Sequence, residues 1–201
     1  MPVTATILLV RHAAHVELGA TLSGRRRDVA LSAEGLEQAA ILADLLGTAP
    51  IAAVYSSPRE RAWYTAREIA EPHGLKPVIL ADLDEVDFGE WTGLGFDELE
   101  GLPEWQLWNS ARSTARATGG ESMAEAVGRA SSALAGLVTD HDGETIVAVS
   151  HCDVIRGIIA HHLGLGLDHL LRFDVDPASV SRLTLGTWGA RINSINERLY
   201  Q

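Results

Sequence analysis

The chain has 201 residues, 46% of them hydrophobic and 21% charged, a balance that suits a folded globular protein and excludes a disordered or fibrous one. A formal charge of -11 excludes general affinity for nucleic acid or for an anionic membrane surface, since either partner wants a basic face. No stretch approaches the roughly 20 apolar residues that span a bilayer, and a single cysteine, Cys152, leaves no internal disulfide, so a cytoplasmic protein is expected.

The first element is an apolar run, Thr6-Ile7-Leu8-Leu9-Val10, closed by Arg11-His12. Its length and β-branched content fit a strand buried on both faces, as in a parallel sheet. A polar loop through Gly19, Gly24 and Arg25 to Arg27 leads to Ser32, which caps a helix expected to run to about Leu46. Ile51 to Tyr55 is a second strand, closed by Ser56-Ser57-Pro58, and a helix follows from about Arg59 to Ala70, with Pro58 expected in its first turn. Val78 to Leu80 is a short strand, and the acidic, turn-rich stretch from Asp82 to Gly93 is a loop. A helix from about Ser122 to Thr139 precedes a second apolar run, Thr145-Ile146-Val147-Ala148-Val149, closed by Ser150-His151. A helix from about Val154 to Leu163 and a hairpin of Ser179 to Leu185 and Ala190 to Asn196 complete the chain. Strand and helix alternate, so the class is α/β with a mostly parallel sheet and an antiparallel edge, organised as one domain over residues 1–201. The hairpin offers an edge on which a homodimer can form.

Two matching strands ending in histidine are informative because ligands of open α/β sheets bind beyond the carboxyl ends of the strands. Arg11 and His12, the segment Ser56 to Arg61, and Ser150 and His151 all fall there. Two or three guanidinium groups and two imidazoles in an acidic protein match a dianionic phosphoryl group. A neutral histidine attacks phosphorus when a hydrogen bond fixes its far nitrogen, a role that suits His12. A second histidine, kept protonated by the bound anion, would help Arg11 and Arg61 spread the transition-state charge, and His151 fits. The leaving alkoxide needs a proton from a carboxylic acid of raised pKa; Asp82, Asp84, Glu85, Asp87 and Glu90 are all available, and spacing does not choose among them.

Leu9-Val10-Arg11-His12, Asp28 to Gly35, Ser56-Ser57-Pro58-Arg59-Glu60-Arg61-Ala62, Glu85 to Gly93, Gly120-Glu121-Ser122 and Val149-Ser150-His151 occur in the order of the histidine phosphatase superfamily, the phosphoglycerate mutase-like family, which the chain resembles over residues 6 to about 160. The resemblance implies a three-layer αβα sandwich, a phosphohistidine formed on His12, a phosphate pocket of Arg11, Arg61 and His151, and Glu85 as general acid. It puts Ser23 and Gly24 in a loop that approaches the substrate and implies no cofactor. Its mutases carry an insertion before the second histidine, so the modest segment from Glu85 to His151 favours hydrolysis of a small phosphorylated substrate over mutase transfer. A catalytically inactive phosphate-binding scaffold is the third alternative, against which the retained residues argue.

The chain also departs from the family pattern. Ala13-Ala14-His15 replaces the usual glycine after the first histidine, the usual asparagine is missing, and Cys152-Asp153 replaces the commoner Gly-Gly after the second. Asp153 therefore either brings a carboxylate to the site or caps the following helix. Trp105 and Trp108, at i, i+3, are expected to pack a lid helix more than to line a pocket, and Arg112 and Arg116, spaced one helical turn apart, to form a solvated face or to grip a second acidic group. Cys152 is expected to be a small apolar group, and His161, His162 and His169 to bind no metal.

Overall fold

The two histidine-terminated runs lie side by side. In a computed structural model of the chain, which describes residues 3–199, they form strands β1 (Thr4–Arg11) and β4 (Thr145–Ser150), parallel and in register from Thr6 opposite Thr145 to Arg11 opposite Ser150. His12 and His151 therefore leave the sheet at the same level and on adjacent strands. With β2 (Ile51–Ser56), β3 (Val78–Ile79), β5 (Val180–Gly186) and β6 (Gly189–Glu197), they build a sheet of order β3-β2-β4-β1-β5-β6. The first four are parallel, and β5 and β6 join antiparallel.

Both central strands are buried on two faces, and alternation along them sorts their residues into two cores. Leu8, Val10, Val147 and Val149 meet helices α1 (Ala33–Leu46) and α2 (Glu60–Ala70). Ile7, Leu9, Ile146 and Ala148 meet α5 (Met123–Leu137) and α6 (Cys152–Leu163) on the other side. The result is the α/β class expected from the alternation of elements, in the three-layer form that the family resemblance implies. Among the described residues no helix is long and apolar enough to cross a membrane.

Helix starts follow local chemistry. Ser32 accepts from the Gly35 amide at α1, and Ser122 forms a capping box with Glu125 at α5. Two starts differ from expectation. Pro58 lies outside the first turn of α2, because Arg59 is extended and takes the cap position. Helix α6 starts at Cys152, directly after an extended His151, so Asp153 sits in its first turn, where the helix dipole favours a carboxylate. Two short helices, α3 (Phe96–Glu100) and α4 (Pro103–Ser110), fill the segment between Gly93 and the start of α5.

The loop that follows His12 is pinned from both neighbouring helices. The Ala13 amide donates to Thr65 Oγ1 on α2 at 3.0 Å and the Ala14 amide to Gln38 Oε1 on α1 at 2.9 Å. Contact with α1 is so close that a Cβ at Gly35 would lie 1.8 Å from the Ala14 carbonyl oxygen, which only glycine allows.

Candidate active site

Four elements deliver the site. β1 brings Arg11 and His12, the first turn of α2 brings Arg61, β4 brings His151, and the loop before the short turn Gly89–Trp91 brings Glu85. His12, Arg61, Glu85 and His151 are all buried. The rings of His12 and His151 are 5.1 Å apart between centroids, and that of His15 is 5.3 Å from His12.

Hydrogen bonding fixes the tautomer of both central histidines. His12 Nδ1 is 2.8 Å from the Ala13 carbonyl oxygen, which can only accept, so the proton is on Nδ1. Its Nε2 accepts from Arg61 Nε at 3.3 Å, and its lone pair therefore faces the guanidinium cluster. Arg61 Nη2 donates to the Gly24 carbonyl at 2.7 Å and to His151 Nδ1 at 3.2 Å. A guanidinium cannot accept, so the proton of His151 is on Nε2 and is donated to Ser57 Oγ at 2.7 Å. Ser57 Oγ reaches Asp84 Oδ1 at 3.4 Å, and Arg59 grips that carboxylate with Nε at 2.9 Å and Nη2 at 2.7 Å. Arg11 Nη1 donates to the Val175 carbonyl at 2.7 Å, while Arg11 Nε and Arg61 Nη1 are buried without an acceptor among the described residues.

Burial, then the Arg61 charge, lowers the pKa of His12 and of His151 well below the ordinary imidazole value, so both are neutral at pH 7. For His151 the opposing charges are those of Arg61, Arg59, Arg11 and any proton on His12, so the protonated state expected of it depends on a bound anion to offset them. The same causes take His15 to about 4. Burial and then the Asp153 charge push Glu85 the other way, to about 7, with its Oε2 3.9 Å from His151 Nδ1. At that value Glu85 holds a proton near neutrality. Its backbone is fixed by Arg25 Nε and Arg129 Nη2, both donating to its carbonyl, at 2.8 and 3.0 Å.

These groups open on a cavity of about 260 Å³ lined by Arg11, His12, Arg61 and Glu85, with Ser23 and Gly24 at its edge. Ser23 Oγ is turned to Glu17 at 2.7 Å, and Gly24 contributes the carbonyl that holds Arg61. His151 lies behind Arg61 with no exposed surface. The tryptophans divide. Trp105 lines the cavity, and Trp108 is wholly buried against Phe88 and Trp91 at centroid distances of 5.8 and 6.0 Å. The one-turn spacing of Arg112 and Arg116 fails because α4 stops at Ser110 and Ala111 leaves the helical region. Arg112 turns to the cavity, and Arg116 turns outward to Glu125. Burial raises the Cys152 thiol to about 11, consistent with an inert packing group. Sequence reasoning passed over Ser57, Arg59 and Asp84 as a connected unit; the run from Ser56 to Arg61 contained two of them, but Asp84 was one of five equivalent carboxylates.

Residues 7–198 match the model of the histidine phosphatase superfamily, branch 1. The chain belongs to that superfamily. This histidine phosphatase is 34% identical over 180 residues to phosphoserine phosphatase 1 of Hydrogenobacter thermophilus, covering 87% of this chain and 84% of the relative. It is 29% identical to adenosylcobalamin/alpha-ribazole phosphatase of Salmonella typhimurium, over 94% and 95% of the two chains. A mycobacterial glucosyl-3-phosphoglycerate phosphatase superposes with a TM-score of 0.86 at 25% identity, covering 96% of this chain and 99% of that one.

Proposed function

We propose that this histidine phosphatase hydrolyses a small phosphomonoester in two steps. In the first, His12 Nε2 attacks phosphorus, the P–O bond to the alcohol breaks, and Glu85 gives its proton to the departing oxygen. In the second, the Glu85 carboxylate takes a proton from water, whose oxygen attacks the phosphohistidine and releases inorganic phosphate and free His12. The observation that carries this reading is the His12 tautomer: the Ala13 carbonyl holds the Nδ1 proton, which leaves the Nε2 lone pair facing two arginines with unpartnered N–H groups.

Arg11 and Arg61 take the equatorial phosphoryl oxygens, His151 adds charge once a dianion offsets the arginines that oppose its protonation, and Ser23 and Gly24 border the alcohol. The relatives' names span compounds as different as phosphoserine, a glucosyl-3-phosphoglycerate and a ribazole phosphate, so the phosphomonoester is what they share. The single cysteine, which leaves no internal disulfide to form, fits work in the reducing cytoplasm.

The test is hydrolysis of an aryl phosphate by wild type and His12→Ala with chelator present. Turnover by wild type that falls by at least about 10³-fold in the variant is expected. Equal rates for the two proteins would remove His12 from the reaction.

A further inference from the structure

His15 lines the cavity beside His12 and has no part in the two-step reaction. It is one of the residues by which the chain departs from the family pattern, and between Ala13 and Leu18 it is the sole side chain with an N–H group. Its position is fixed through the backbone. The residue pairs with Leu31 in an antiparallel bridge, the Val16 amide donates to the Ala30 carbonyl at 3.2 Å, and the Leu18 amide donates to the His15 carbonyl at 3.1 Å. With the Ala13 and Ala14 amides anchored on α2 and α1, the loop that carries the imidazole has little freedom.

The ring is oriented as well. The Glu17 amide donates to His15 Nδ1 at 3.2 Å, and an amide N–H can only donate, so the lone pair is on Nδ1 and the proton on Nε2. Nδ1 is turned to its own loop, and Nε2 faces away from it with no hydrogen-bond partner among the described residues. Glu17, the carboxylate that favours a charged His15, is itself taken by Ser23 Oγ at 2.7 Å and Arg26 Nη1 at 2.5 Å.

In the reaction phosphorus comes within bonding distance of His12 Nε2, so its equatorial oxygens fall among the groups around that ring. The His15 ring is 5.3 Å from His12 between centroids and tilted by 50°, about as near as His151 at 5.1 Å; His151 has no exposed surface, whereas His15 lines the cavity. Burial, and then the charges of Arg61 and Arg11, bring His15 to about 4, so it is neutral at pH 7. A neutral N–H there offers a hydrogen bond without adding a further positive charge to the empty pocket, and it is in place before the substrate arrives.

We propose that His15 is a further catalytic residue, whose Nε2–H donates a hydrogen bond to an equatorial oxygen of the transferred phosphoryl group beside Arg11 and Arg61. No proton leaves His15 in either step; it holds the phosphoryl group while His12 attacks and while water releases it. This inference rests on the phosphatase reading above.

Two substitutions separate the N–H from the ring. His15→Phe keeps an aromatic ring and removes the donor, and His15→Gln removes the ring and keeps a neutral N–H. With an aryl phosphate, kcat/KM is expected to fall by about 10- to 100-fold in His15→Phe and to return to within about fivefold of wild type in His15→Gln. Equal values for the two variants, whether both low or both unchanged, overturn the proposal. A measurement on wild type needs no substitution: in isotopically labelled protein, the nuclear magnetic resonance of the His15 Nε2 proton is expected to move downfield when inorganic phosphate is added and to stay in place when chloride is added to the same ionic strength. A resonance that ignores phosphate overturns the proposal. If phosphate moves the resonance but wild type hydrolyses no aryl phosphate, the phosphatase reading fails and His15 stands as a phosphate ligand.

Discussion

Replacing Glu85 by glutamine tests the central electrostatic feature of the site without activity as the sole readout. The glutamine keeps the shape and the acceptor for the Val86 amide, which now donates to Glu85 Oε1 at 3.0 Å. It cannot ionise. In wild type the carboxyl moves from 4.5 to about 7 on folding, by burial and then by the Asp153 charge. Below pH 4.5 it is protonated in both states, and its burial as a neutral acid carries no ionisation cost. As pH rises toward 7 the unfolded chain ionises while the folded chain holds its proton, so stability falls. Above about pH 8 the folded state carries the full cost. At about 1.4 kcal/mol for each tenfold change in proton affinity, that cost is roughly 3 kcal/mol. The stability of Glu85→Gln relative to wild type should therefore rise by roughly 3 kcal/mol between pH 4.5 and pH 9. In thermal melts this is a relative gain of about 6–12 °C for a chain of this size. Urea titrations across the same range provide the free energies directly. A difference that stays flat within about 1 kcal/mol would refute the raised pKa and with it the choice of Glu85 as acid. In the same pH series, wild-type turnover of an alkyl phosphate should decline above about pH 7 as the acid is lost, and Glu85→Gln should be slower by about 10²–10⁴-fold.

Ser57→Ala leaves the buried Nε2 proton of His151 without its acceptor, which should cost about 1–3 kcal/mol of stability and lower kcat by about tenfold; an unchanged kcat would show that Ser57 does not position His151. Gly35→Ala drives a Cβ into the Ala14 carbonyl, so α1 and the loop after His12 must separate. Destabilisation by about 1–3 kcal/mol is expected in urea, together with a fall in turnover, and a variant as stable as wild type would show that the close contact is dispensable.

Much of this organisation was legible in the sequence because it depends on short-range signals. Ser32 and Ser122 mark helix starts by capping, and two apolar runs of equal pattern mark the central strands that pair in register. What stayed hidden depends on contacts between distant segments. Nothing local distinguishes Glu85 from Asp84. The first is buried beside Asp153 and holds a proton, and the second is one residue away and neutralised by Arg59. Arg112 and Arg116 illustrate the opposite failure. Their spacing suits one helix, but the chain turns at Ala111, and that turn sends one arginine to the cavity and the other to solvent. The sequence allows Asp153 to be a helix cap or a site carboxylate, and it occupies the first helical turn while lining the cavity.

The strand order also bears on how the chain comes together in time. Both neighbours of β1 in the sheet, β4 and β5, lie toward the carboxyl end, the nearer pairing Thr6 with Thr145 across roughly 140 residues. At about 5–20 residues per second, a ribosome needs on the order of ten seconds to supply them after β1 is made. Through that interval one of the most apolar segments of the protein has no strand to pair with. β4 must then enter between β1 and β2, and it brings His151 with it. Recovered turnover during refolding thus reports the last long-range insertion, and the waiting β1 segment is where a chaperone would be expected to act.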